Sequence, residues 1–164
     1  MVILEQLIEA LRDELQQYGE MLAQLDHQQQ FIGLRGADDI LQSISAINIQ
    51  GGTIQKARET RHQAQQQLAR ALRAPDDSTF AHLVPLMPEP YRPLVTALVQ
   101  ENNELLLRVR QRADQNQVQL RRSLELMQRF LVTLSPEGRP AEVNGDENPV
   151  LAVEPGSPLY DAIV

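Results

Sequence analysis

The chain has 164 residues, a formal net charge of −7, no cysteine, no tryptophan, and only three phenylalanines and three tyrosines. Without cysteine there is no disulfide framework and no thiolate zinc site, and one lysine in an acidic chain argues against nucleic-acid binding, which needs clustered cations. The remaining mixture of Leu, Ile, Val, Ala, Gln, Glu and Arg favours helices that meet along narrow leucine seams, with too few aromatic side chains for a thick globular core.

The chain opens Met1-Val2-Ile3-Leu4-Glu5, which lacks the basic and apolar regions of a secretory leader. No apolar run in the whole sequence approaches the ~20 residues of a membrane span, so a cytoplasmic location is expected. From about residue 3 to 33, Leu4, Leu11, Tyr18, Leu25 and Ile32 recur every seven residues, with Leu7, Ile8, Leu15 and Leu22 filling the turns between. That spacing predicts one long amphipathic helix. Gly33 and Gly36 end it, and Asp38 or Asp39 is placed to cap the next helix.

The second helix is expected over about 38–72, on a weaker stripe through Ile40, Ile44, Ile47, Ile54, Ala57, Ala64, Leu68 and Leu72. Gly51-Gly52 lies in its middle, and each glycine costs ~1 kcal/mol against alanine there, so a kink, a local break or a close helix approach is expected. Pro75, Pro85, Pro88, Pro90 and Pro93 then exclude a continuous helix through the link, which has room for one short turn through Phe80 and Leu83. Pro93 sits where a helix start tolerates proline.

The third long helix is expected over about 91–134. Its seam runs Leu98, Leu105, Val109, Ala113, Asn116, Leu120, Leu124, Met127, Leu131 and Leu134, with Asn102 beside it. Polar residues on such a seam set register and orientation at some cost in stability. More than 40 residues span roughly 65 Å, longer than the first helix, so the far half of the seam is expected to lack a full internal partner. Arg108, Arg110, Arg112, Arg121, Arg122 and Arg129 face only Asp114 and Glu125 in this stretch; they read as a solvated face or, alternatively, a strip for an acidic partner.

Residues 136–164 hold six acidic side chains against Arg139. With five prolines and three glycines from residue 135 onward, the tail is expected to be flexible and disordered. Two apolar islands interrupt it, Val150–Val153 and Leu159–Val164.

No nucleophile elbow, phosphate loop or dinucleotide fingerprint occurs. Glu59-Thr60-Arg61-His62 supplies half of a di-iron pattern, without the second pair or the further glutamates such a site requires. Catalytic, cofactor-binding and metal-ligating residues are therefore expected to be none, and the chain is read as a non-enzyme. The fold expectation is all-α: an elongated antiparallel hairpin or bundle of three long helices (1–135) with a short Pro-rich link and a separate tail (136–164).

Three stretches together resemble the FlgN family of flagellar export chaperones. They are the Leu34-Arg35-Gly36-Ala37-Asp38-Asp39-Ile40-Leu41 break, the run Ile54 to Arg61 followed by Leu68 and Leu72, and the long last helix with Leu98, Glu101-Asn102, Leu105-Leu106, Asn116, Leu120 and Leu124. Tyr160-Asp161-Ala162 is similar to the tyrosine-centred ending of many members, although Ile163-Val164 stand where a glycine is common. The resemblance implies a cytosolic chaperone that binds the helical termini of hook-associated, hook–filament junction proteins. It would prevent their premature self-association and deliver them to the export gate. The surface expected to hold the client is Leu120, Leu124, Met127, Phe130, Leu131 and Leu134, by a helix-in-groove mode, with Tyr160 the candidate contact to the export gate. The competing readings are a self-associating coiled-coil scaffold, including a homodimer, and a chaperone of a related non-flagellar secretion system.

Overall fold

The computed structural model describes residues 2–33 and 36–134. The described residues are all α-helical apart from turns. Four α-helices are present where three were expected: α1 (Val2–Phe31), α2 (Ala37–Ala71), the single turn α3 (Phe80–Leu83) and α4 (Arg92–Leu134). Two 3-10 turns, Val84–Leu86 and Glu89–Tyr91, complete the proline-punctuated link.

α1 stops at Phe31 because Gly33 takes a positive φ of 90°, a backbone conformation that glycine adopts at little cost. α2 begins after Gly36, which is extended and gives no side-chain cap. Asp38 and Asp39 instead lie in the first turn, where their charge complements the helix dipole; the expectation that one of them is the cap is corrected. α2 runs unbroken through Gly51-Gly52, so the expected break there is also absent. Ile47, Gln50 and Ile54 on either side are buried, and their packing holds the helix across the two unfavourable residues.

The end of α2 forms a Schellman motif. The Ala74 amide donates to the Ala69 carbonyl at 2.8 Å and the Arg73 amide to the Arg70 carbonyl at 3.1 Å. Arg73, at φ 57°, occupies the left-handed position usually given to glycine. Arg70 then clasps Asp76 with three hydrogen bonds of 2.6–3.1 Å, which hold the Asp76 carboxyl below the usual carboxylate range.

α1 is the central helix. α2 runs back along it: Gln50 Nε2 donates to the Gln17 carbonyl, and Gln28 Nε2 to Ser43 Oγ. α4 runs parallel to α1 on another side, so the three long helices go up, down and up. Leu4, Leu7, Leu11, Tyr18, Met21 and Leu25 of α1 pack against Ile47, Ile54, Ala64 and Leu68 of α2 and Val95, Leu98, Leu106 and Val109 of α4. Phe80, Leu83 and Met87 of the link belong to the same core.

The register between α1 and α4 is set by the two asparagines. Asn102 and Asn116 are both 0 % exposed. Asn102 Nδ2 donates to the Leu11 carbonyl at 3.0 Å, and Asn116 Nδ2 to the Leu25 carbonyl at 2.7 Å. Each thus meets a carbonyl 91 residues earlier in the chain. A slip between the helices would cost both inter-helix bonds, leaving Asn102 only the Leu98 carbonyl of its own helix.

A second polar group lies where α1, α2 and the link meet. Glu14 is 0 % exposed; it accepts from Tyr18 Oη at 2.8 Å and from Arg61 Nε at 2.9 Å, and Arg58 Nε lies 3.9 Å away. Arg61 also donates to Gln65 Oε1, whose amide in turn donates to the Ser78 carbonyl. Burial, and then the adjacent Glu14 carboxylate, push the Tyr18 phenol well above the ordinary tyrosine value, against the opposing pull of Arg58 and Arg61.

Candidate partner-binding site

The asparagine register determines where α1 stops supporting α4. With an offset of 91 residues, the last residue of α1, Phe31, falls level with Arg122. The remaining dozen residues of α4, about 18 Å at ~1.5 Å per residue, extend past the end of α1. Asn116 is the last buried position on α4, and Leu120 is half-buried at the bundle edge. Beyond it every residue from Leu124 to Leu134 is exposed.

This overhang is apolar to a degree that solvent exposure does not explain. Leu124 is 49 % exposed, Met127 56 %, Phe130 62 %, Leu131 55 % and Leu134 63 %. Leu120, Leu124, Met127, Leu131 and Leu134 alternate three and four residues apart, so they share one face of the helix. Phe130 widens that face. The structure therefore places the six residues singled out from the sequence along one side of the helix, five of them exposed among the described residues and Leu120 half-buried at the inner edge. Leu126 and Val132 are exposed there too; their positions off the seven-residue repeat kept them out of the sequence reading. A contiguous apolar surface on an otherwise well-packed chain marks an interaction site.

The charges beside this stripe are mainly basic. Arg121, Arg122 and Arg129 are exposed against a single acidic residue, Glu125. Further back on α4 the arginines are not all a free strip. Arg112 Nε lies 2.7 Å from Asp26 Oδ1, and Arg112 also donates to Gln29 Oε1. Arg112 thus fastens α4 to α1 near the end of their contact. Tyr160, the candidate export-gate contact, lies outside the described residues.

Two features escaped the sequence reading. The Glu14–Arg61 pair joins residues 47 positions apart and has no periodic signature. A shallow apolar groove between the link and α4, lined by Phe80, Ala81, Val84, Pro85 and Val99, depends on the path of the link. Among the described residues no three or more His, Cys, Asp or Glu side chains gather as a metal site requires, and no helix is long and apolar enough to cross a membrane.

The family model described as FlgN protein matches residues 1–144. The chain belongs to the FlgN family. FlgN proteins are flagellar export chaperones and are not known as enzymes. The match spans the whole helical part described above, including the α4 overhang. No curated protein and no solved structure shows a significant match to the chain. In this up-down-up bundle the exposed apolar stripe of α4 lies outside the core that keeps the chain folded.

Proposed function

We propose that this FlgN chaperone holds helical termini of hook-associated proteins on the overhang of α4, keeps them from self-associating, and delivers them to the export gate through the tail around Tyr160. One observation carries the reading: an apolar stripe on the last three turns of α4 that nothing else in the described chain covers. A client amphipathic helix laid along Leu124, Met127, Phe130, Leu131 and Leu134 would be shielded, with Leu120 closing the inner edge. Each leucine covered contributes ~1.5–3 kcal/mol at most, a scale on which a handful of contacts gives specific yet reversible holding.

The test is the double substitution Leu124→Asp plus Leu131→Asp, with binding of a labelled C-terminal helix peptide from a hook–filament junction protein read by fluorescence anisotropy. Loss of two apolar anchors at ~1.5–3 kcal/mol each predicts at least a ~100-fold weaker Kd. Far-UV circular dichroism should change little, since both side chains are exposed. Binding undiminished in a helical double variant would move the site elsewhere. A tight dimer indifferent to the peptide, seen by sedimentation, would replace the chaperone reading with self-assembly.

A further inference from the structure

We infer that the α4 stripe has a resting occupant in the same chain: the acid-flanked segment Val150-Leu151-Ala152-Val153, folded back against Leu124, Met127 and Leu131. Charge separates this occupant from a second copy of the helix. The overhang carries Arg121, Arg122 and Arg129 against Glu125 alone, so two overhangs brought together meet with like charge, which opposes pairing. The tail has the opposite sign. Asp146 and Glu147 precede the apolar segment and Glu154 follows it, so its apolar residues and flanking charges match the stripe and its arginines.

Reach allows the contact. The stripe from Leu120 to Leu134 is about 21 Å long at ~1.5 Å per residue. Residues 135–149 join its outer end to Val150, and fifteen residues reach at most about 50 Å. The connection can therefore turn back and cover the stripe with slack, whereas the apolar groove near Phe80, about 50 Å back along α4 on the same helical rise, would need it fully extended. A tethered segment also acts at a high effective concentration, which lets four modest apolar side chains compete. Leu159–Val164 lies further on and stays available for another contact. A client helix then binds by displacing Val150–Val153.

The chain has no cysteine, so a single Asn148→Cys substitution takes one nitroxide spin label. In the full chain, methyl and amide signals of residues 124–134 should be broadened by the label. The same label in an otherwise identical chain carrying Leu151→Asp and Val153→Asp, which keeps the tether, should lose that extra broadening. Arg121→Glu with Arg129→Glu should lose it as well. Identical broadening with and without the tail substitutions overturns the contact. Broadening that appears on unlabelled copies in a mixed sample overturns it in favour of a second copy. The experiment contains no client, so its failure leaves the client reading standing; a tail contact in a chain that binds no hook-associated peptide does the reverse.

Discussion

Removing Arg61 isolates a carboxylate that has no exposure to water. Glu14 is 0 % exposed and holds Arg61 Nε at 2.9 Å, so Arg61→Ala leaves it with Tyr18 Oη and with Arg58 at 3.9 Å. Breaking a buried pair from one side typically costs ~3–5 kcal/mol. Arg58 offers partial compensation, so the low end, about 3 kcal/mol, is expected. For a chain of this size that is a fall of roughly 6–12 °C in Tm. The assay is urea denaturation followed by far-UV circular dichroism, fitted with a common m-value. The double variant Glu14→Leu/Arg61→Met should recover most of the loss, because exchanging both members for apolar side chains of similar size is often neutral or stabilising. An Arg61→Ala cost below ~1 kcal/mol, the range of exposed pairs, would refute the reasoning. So would a double variant as unstable as the two single variants added together.

The Tyr18 phenol gives a pH signature. Its folded pKa is raised, so its contribution is fully present below the unfolded value of ~10 and is lost as pH climbs above it, by up to ~1.4 kcal/mol per pH unit. Tyr18→Phe should flatten that alkaline slope in urea titrations, and an unchanged slope would contradict the burial argument. Asn102→Leu should stay within about 1 kcal/mol of the parent or exceed it, because Asn102 Oδ1 has no partner among the described residues and the Leu11 carbonyl is a helix acceptor already. A loss above ~3 kcal/mol in the denaturation midpoint would show that the asparagine stabilises as well as orients. Arg73→Gly should raise Tm slightly, since a left-handed residue with a side chain costs ~1–2 kcal/mol and glycine avoids it; a fall in Tm would mean the Arg73 side chain matters more than its backbone.

The long helices were legible because leucine spacing records them directly. Leu4, Leu11, Tyr18 and Leu25 share a seven-residue period, and all four are buried. Asn102 and Asn116 stood out as polar residues on or beside an apolar seam, yet only the fold shows which carbonyls they meet. Helix ends were less legible. Asp38 and Asp39 have the side chains of a cap, but the chain places Gly36 at that position, and local backbone geometry decided between them. Gly51-Gly52 does not break α2, because propensity carries a local penalty that the packing of Ile47 and Ile54 overrides. The overhang was foreseeable from length alone, since α4 outruns α1. Its basic flank became meaningful only when Arg112 was seen pairing with Asp26 and Arg121, Arg122 and Arg129 were left outside.

The overhang also has a thermodynamic consequence for partner binding. Its last dozen residues gain no stabilisation from α1 or α2, so apart from whatever covers the stripe their helicity rests on intrinsic propensity and on continuation from the packed part of α4, which removes the nucleation cost. This is the part of α4 most open to fraying, and a partner docking there, as proposed, would have to restore any frayed turns. The strength of holding is then adjustable at positions the partner never touches. Ser123 and Thr133 are weaker helix formers than the leucines beside them, so substitutions there would tune the proposed holding without altering the stripe.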